Sequence, residues 1–294
     1  MLLVTILLSL VSLGDTRDIV FPPVFGIDRL PGQIPIQPQG ENDDDIDLTT
    51  DAVGGLTSFA HLPYVPCFDS KGDEEVGRVR GPHSWNLYSG RNSFEEWAKI
   101  VDCGDAPLTF VDNTMALKQL GKAYKITTGR TASNASIAET PRVLMLGGDH
   151  TVTLAALRST IDHWGVINVI HFDSHIDTWD PTRLGGGITD YASVNHGTFL
   201  HIAHEEGLIS NDSSIHAGIR APLGSQHKDL NNDVQCGFEI ITARDIDELG
   251  AKGVIKKLKD RVGTGNVYIT VDIDVLDPVS NILPGDFVVE IDIR

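Results

Sequence analysis

Acidic and imidazole side chains cluster where one apolar run of the sequence ends. Asp173, His175 and Asp177 follow directly on the β-branched segment 166–170, which is typical of a strand buried on both faces of a parallel sheet. Side chains alternate in an extended chain, so these three are expected on one face. Such a group is typical of a metal site, although a carboxylate at a strand end is often only a turn cap.

Two further apolar runs end in the same kinds of residue. The run 144–146 leads through two glycines to His150, and the run 267–271 leads to Asp272 and Asp274. Adjacent carboxylates on an apolar strand repel each other unless a cation lies nearby. The three runs together offer two imidazoles and four carboxylates. That set is too large for one tetrahedral zinc and suits two oxygen-preferring ions, with Mn²⁺ the first choice.

These strands belong to a repeated alternation of strand and helix. Helical spacing is present at 113–126, 151–158 and 245–262, and further strand-like runs lie at 215–220 and 239–241. The alternation predicts one α/β domain around a mostly parallel sheet, with the site at its carboxyl edge.

The three clusters resemble, in order and spelling, the signatures of the ureohydrolase family of arginases, agmatinases and their guanidino-acid relatives. The resemblance covers roughly 48–278, and the stretches 173–180 and 195–198 are similar to the agmatinase branch. It implies a three-layer arginase-like fold, a homo-oligomer and hydrolysis of a small cationic guanidino substrate. Agmatine, yielding putrescine and urea, is the expected substrate, with 4-guanidinobutyrate as the alternative. A catalytically impaired metal-binding relative is the alternative function.

The resemblance also implies a set of metal ligands. One manganese would be held by His150, Asp173, Asp177 and Asp272, and a second by Asp173, His175, Asp272 and Asp274. A water shared by the two Mn²⁺ ions would supply hydroxide that attacks the guanidinium carbon. A related single-zinc deacetylase would need fewer carboxylates and a histidine pair before its first strand, which the sequence does not show.

Other roles follow from the same resemblance. His196 matches the histidine that transfers a proton to the departing amine. Trp179 and Asp180 lie where the family discriminates the far end of its substrate. His171 is expected to pack beneath the site rather than to bind metal.

Two regions depart from the family pattern. Residues 66–86 show no apolar strand where the family has its first core strand, and the family's Gly-Thr-Pro-Glu loop is absent after Pro278. The sequence therefore predicts an arginase-like domain over 46–294 that lacks a first strand and a C-terminal segment. Its activity is expected to be lower than the motifs suggest.

The N-terminal region is predicted to lie outside this domain. Residues 1–14 are apolar but too few to cross a membrane as a helix, which suits a signal peptide and predicts secretion. A cytoplasmic or mitochondrial location is the alternative. Residues 15–45 are rich in proline and acidic side chains, a composition that favours a flexible arm.

Net charge and cysteine content limit which classes of partner and which cellular compartment the sequence predicts. A formal net charge of -18 argues against nucleic acid and, after signal cleavage, against a membrane as the main partner. Three cysteines are too few for a disulfide framework and are interpreted as part-buried thiols. One bridge between two of them is the alternative for a secreted chain.

Overall fold

The computed structural model describes residues 67, 68, 87, 90, 100–132 and 139–277, together with the backbone of 288–293. The predicted signal peptide 1–14, the predicted arm 15–45 and most of 66–86 lie outside the described residues. Among the helices that are described, none combines the length and the apolar composition needed to cross a membrane.

The described residues form five α-helices and six strands, in the predicted alternation. In chain order these are α1 (Asn113–Thr128), β1 (Leu144–Gly147), α2 (Val152–Trp164), β2 (Asn168–Phe172), α3 (Phe199–Glu205), β3 (Ser214–Ile219), α4 (Gln226–Gln235), β4 (Phe238–Thr242), α5 (Ala243–Val262), β5 (Val267–Asp272) and β6 (Val288–Ile293).

All six strands join one mostly parallel sheet in the order β1-β6-β5-β2-β3-β4. The strands β5, β2, β3 and β4 run parallel to one another, whereas β6 runs antiparallel to both β1 and β5. The sequence interpretation places no strand after Pro278. The presence of β6 shows that this interpretation is wrong. The segment 288–293 is rich in β-branched residues, which favour the extended conformation.

Helices cover both faces of the sheet and complete the predicted three layers. On one face, α1, α2 and α3 bury a cluster that includes Leu154, Phe199 and Tyr268. On the other face, α5 packs Val254 and Leu258 against the strands. Removal of this apolar surface from water is the main stabilising contribution to such a core.

Side-chain caps fix where the helices begin. The carboxylate of Asp112 accepts a hydrogen bond from the backbone N–H of Met115 at the start of α1. Thr242 and Asp245 form a reciprocal capping box at the start of α5, which bends at Gly250. Each cap satisfies N–H groups that have no partner inside the helix.

The bonding state of the cysteines differs from the one that the sequence interpretation favours. Cys67 and Cys103 form a disulfide across a separation of 36 residues, and Nε of Arg130 donates to the carbonyl of Cys67 at 3.1 Å. Cys236 is a buried free thiol, and burial raises its pKa to about 12. Three scattered cysteines do not reveal which two the fold brings together, so the prediction of three thiols is wrong.

Candidate metal centre

The motif that follows β2 is a turn and not a continuation of the strand. The strand ends at Phe172, and Oδ1 of Asp173 accepts a hydrogen bond from the backbone N–H of His175 at 2.6 Å. Asp177 has a positive φ of 50°. The predicted alternation of these side chains is therefore wrong, because an aspartate that binds the N–H two residues on folds the chain back. The turn nevertheless gathers the same side chains.

The end of β5 repeats this arrangement. Oδ1 of Asp272 accepts from the backbone N–H of Asp274 at 2.8 Å, at the start of a 3-10 turn, Ile273–Val275. Oδ1 of Asp274 in turn accepts from the backbone N–H of Ser174 at 2.9 Å. The two neighbouring strand ends are thus tied to each other by aspartate side chains.

One imidazole nitrogen faces three buried carboxylates at this edge. Nδ1 of His150 lies 3.0 Å from Oδ2 of Asp173, 3.2 Å from Oδ2 of Asp177 and 3.4 Å from Oδ2 of Asp272. The other ring nitrogen, Nε2, lies 2.8 Å from the hydroxyl of Thr270. In the neutral ring, donation from Nε2 to that hydroxyl leaves the lone pair on Nδ1, and this tautomer can bind a metal.

A second group forms around the other oxygen of Asp173. Nδ1 of His175 lies 2.9 Å from Oδ2 of Asp274 and 3.3 Å from Oδ1 of Asp173. The His175 side chain is 44% exposed, so this group faces outward while the His150 group is buried. Asp173 belongs to both groups and joins them.

The electrostatics of the site reflect the excess of carboxylates. Burial lowers the pKa of His150, but the carboxylates of Asp173, Asp177 and Asp272 outweigh burial and raise it well above its usual value. Hydrogen bonding to Asp173 and Asp274 raises the pKa of His175 to about 10. Burial raises the pKa of Asp177 to about 6. In the absence of a metal the histidines therefore supply the positive charge that these carboxylates require.

The donor set fits divalent cations. Donor atoms of Asp173, His175 and Asp274 lie within 4.8 Å of one another, as do those of His150, His171, Asp173 and Asp177. Carboxylate-rich sites with a few imidazoles suit oxygen-preferring ions such as Mn²⁺. The structure thus brings together all six of the residues that the sequence predicts as ligands.

His196 lies on an exposed turn beside Asp149. Its Nδ1 is 3.7 Å from Oδ2 of Asp149, the residue that precedes His150. Partial burial raises the pKa of Asp149, but His196 and Thr151 outweigh it and lower the pKa to about 2. An ionised Asp149 is thus placed to orient His196.

The two predicted substrate residues occupy different surroundings. The ring of Trp179 lies 6.3 Å from the ring of His175, which puts it next to the outward-facing group. The carboxylate of Asp180 accepts from the backbone N–H and the hydroxyl of Thr182, at 2.8 and 2.7 Å, and caps the following turn. The structure therefore brings Trp179 to the candidate site and gives Asp180 a turn-forming role.

The Arginase family model matches residues 68–285. This match covers more than half of the chain. The chain belongs to the arginase family.

Individual relatives agree with this assignment. The chain is similar to the Schizosaccharomyces pombe protein named "Putative agmatinase 1", with 42% identity over 261 residues that cover 76% of this chain and 66% of that protein. It is also similar to "Putative agmatinase 3" of the same yeast, with 48% identity over 263 residues and coverages of 76% and 64%. The chain thus spans slightly less than two thirds of the length of these curated relatives.

A solved structure supports the fold. The formimidoylglutamase of Bacillus subtilis superposes with a TM-score of 0.52 and 24% identity, over 66% of this chain and 55% of that one. The similarity shows that this arginase-family chain has the same architecture.

Sequence reasoning missed Thr270, which contacts His150 in this arginase-family site. Along β5 the buried positions alternate and include Tyr268, Thr270 and Asp272, so the period of two that identifies Asp272 also predicts Thr270 on the same face. His171, by contrast, is fully buried as expected, with Nε2 3.1 Å from Oδ2 of Asp173.

Proposed function

We propose that this chain is a binuclear manganese hydrolase that converts agmatine to putrescine and urea. The observation that carries the proposal is the position of Asp173. One of its oxygens faces the buried His150 group and the other faces the His175 group. A carboxylate shared in this way is suited to bridge two cations.

In this proposal, His150, Asp173, Asp177 and Asp272 hold one Mn²⁺. The other is held by Asp173, His175, Asp272 and Asp274. The two ions, when bound, supply a hydroxide at neutral pH that can attack a trigonal carbon. The chain contributes the orientation of the ligands through the turn hydrogen bonds at the ends of β2 and β5.

His196 donates the proton that the departing amine requires. An amine leaves poorly unless it is protonated, so a hydrolase of guanidino compounds needs an acid near the scissile bond. Nδ1 of His196 lies 3.7 Å from the Asp149 carboxylate, which can orient the ring. The exposed position of His196 allows its proton to be replaced from solvent.

Agmatine is favoured over arginine by the surroundings of Trp179. This indole borders the outward-facing group and carries no charge with which to bind the carboxylate that arginine has and agmatine lacks. The sequence also lacks the Asn- and Thr/Ser-rich run with which arginases bind the carboxylate and amine of an amino acid. The names of the yeast relatives support the same choice, and 4-guanidinobutyrate remains the second candidate.

The test is urea release by the purified full-length chain after incubation with Mn²⁺. Agmatine, 4-guanidinobutyrate and arginine are compared at equal concentration, with putrescine measured in parallel. Preferential release from agmatine with equimolar putrescine supports the proposal. Faster release from arginine contradicts the substrate, and no release from any guanidino compound contradicts the activity.

A further inference from the structure

A row of buried polar side chains runs from the sheet interior to Asp173. His171 on β2 and His216 on β3 are paired in register, and their Nδ1 atoms lie 2.7 Å apart. Nε2 of His216 lies 2.9 Å from Oδ1 of Asp233 on α4. All three side chains are at most 1% exposed, so the row has no contact with solvent.

Hydrogen bonding and ring stacking fix the end of this row that lies at His216 and Asp233. The hydroxyl of Thr178 donates to Oδ1 of Asp233 at 2.6 Å, and the ring of His216 stacks on Phe238 with centroids 4.1 Å apart. A buried polar group without partners is costly. Packing and hydrogen bonding therefore fix the orientation of His216, and through it that of His171.

Within the described part of the chain, the end of the row at Asp173 lacks a hydrogen bond. Nε2 of His171 lies 3.1 Å from Oδ2 of Asp173, but among the described residues it is a buried nitrogen without a hydrogen-bond partner. An unsatisfied buried donor costs about 1 to 3 kcal/mol. A small rotation of the Asp173 carboxylate toward His171 removes that cost.

The direction of hydrogen-bond donation along the row follows from which ring nitrogens face each other. For His171 to donate to Asp173 through Nε2, its Nδ1 must accept from Nδ1 of His216. The contact between Nε2 of His216 and Oδ1 of Asp233 then completes the row.

We propose that His171, His216 and Asp233 are positioning residues that hold the shared carboxylate of Asp173 in its metal-binding orientation. This inference rests on the proposed function, because it assumes that Asp173 binds metal. Hydrogen-bonding partners behind a metal ligand fix its orientation, and their loss typically weakens metal affinity by about 10-fold to 100-fold.

The test is the affinity of the full-length chain for Mn²⁺, measured from the electron paramagnetic resonance signal of the unbound ion. Asp233→Asn keeps the shape of the side chain and removes its charge, and it is expected to weaken binding about 10-fold. His216→Phe keeps the stacking on Phe238 but removes both ring nitrogens, and it is expected to weaken binding further.

Asp229→Asn is the matched control. Asp229 lies one turn earlier on α4, is equally buried and pairs with Arg183 instead of a histidine. Its substitution is expected to lower the melting temperature but to leave Mn²⁺ affinity within about 2-fold of the wild type, which corresponds to about 0.4 kcal/mol by the relation between affinity and free energy. Thr178→Val replaces Asp233→Asn if the latter does not fold, with a smaller loss of affinity expected.

The outcomes separate the two proposals. Wild-type affinity in Asp233→Asn, Thr178→Val and His216→Phe overturns the positioning role and leaves the hydrolase proposal intact. Weakened Mn²⁺ binding in these variants without any urea release by the wild type supports the positioning role and contradicts the hydrolase. A wild type that binds no Mn²⁺ overturns both.

Discussion

His196 is the residue on which the proposed proton transfer depends. General acid catalysis by one side chain typically contributes about 10²-fold to 10⁴-fold in rate. His196→Asn is therefore expected to lower kcat for urea release by that amount while the bound manganese stays unchanged, because His196 is not among the grouped donor atoms. Steady-state kinetics beside metal analysis checks this, and loss of metal would assign His196 a different role.

Asp173 and Asp272 are expected to matter more for metal content than any other pair of ligands. Both face His150, and both are proposed bridges. Asp173→Ala or Asp272→Ala should lose at least one ion per chain, measured by inductively coupled plasma mass spectrometry. His201→Ala is the control, because His201 pairs with Glu205 and Asn232 and should retain both ions.

Manganese binding should release protons. The pKa of His150 is raised well above its usual value, and that of His175 is raised to about 10, so both rings are charged near pH 7.5 in the metal-free protein. Ligation requires neutral imidazole. Calorimetry in two buffers of different ionisation enthalpy should show release of close to two protons, and affinity should increase as pH rises toward 10. Binding that is independent of pH contradicts this assignment.

The raised histidine pKa values also set how pH affects the metal-free fold. A folded-state pKa above the unfolded one contributes stability that is complete below about pH 6.5, the unfolded value for histidine. That contribution is lost as pH rises toward the folded pKa of His175, about 10. The metal-free protein should therefore melt at progressively lower temperature between these limits, whereas the manganese-bound protein should show a smaller decline.

The identity of the six ligand-type residues was available from the sequence, but their geometry was not. Asp-x-His and Asp-x-Asp spacing predicts a shared site whether the segment is a strand or a turn. Alternation suggested a strand, while the observed turns depend on each aspartate accepting the N–H two residues on. Asp233 carries no such signal, because only the packing of α4 brings it to His216.

At the scale of elements, Gly218 on β3 controls how closely β3 approaches the site. Its φ is 110°, and a Cβ there would lie 2.4 Å from Cγ2 of Val275 and 3.1 Å from the carbonyl oxygen of Asp173. Gly218→Ala should lower the free energy of unfolding by about 2 to 4 kcal/mol through strain and crowding, and weaken manganese binding. Denaturant unfolding and metal titration measure the two effects.

Gly121 provides the control for that substitution. It lies within α1, and a Cβ added there would meet no atom within 4 Å, so Gly121→Ala should raise the free energy of unfolding by about 0.5 to 1 kcal/mol. Equal losses of stability in both variants would show that the crowding at Gly218 is not the cause.

Most elements were predictable because their periodicity is strong. The helical pattern at 113–126 and the apolar run at 166–170 correspond to α1 and β2. The observed β2 starts and ends two residues later than the predicted run, and the extended conformation assumed for 171–177 is replaced by a turn after Phe172. The strand β6 was missed although it follows β5 in the chain, because the sequence interpretation ends the family match at Pro278 and because the other neighbour of β6, β1, is distant in sequence.

At the scale of the molecule, the disulfide and the N-terminal segment together lead to one prediction about the cellular location of the chain. We propose that the chain is exported, because residues 1–14 resemble a signal peptide and disulfides persist in oxidising compartments. Protein collected from the medium of a secreting host should lack these residues and contain one free thiol, Cys236, after denaturation. Three free thiols, or an intact N-terminus in the cytosolic fraction, would argue against export.

The bridge between Cys67 and Cys103 should also contribute to stability. Closing a loop of 36 residues restricts the unfolded chain by roughly 3 to 4 kcal/mol. Cys103→Ser should lower the free energy of unfolding by about that amount, while Cys236→Ser should have a smaller effect because that thiol has no bridge to lose.

The antiparallel strand β6 also determines when the site can form. Within the described sheet, β1 pairs only with β6, through partners as distant in sequence as Leu144 and Ile291. During synthesis, β2 to β5 emerge earlier and can pair among themselves, whereas β1 must wait for its neighbour. Contacts between such distant segments form slowly. We therefore expect the strand that leads to His150 to be the last secured in the sheet, so that a nascent chain assembles the carboxylates before the imidazole that they surround.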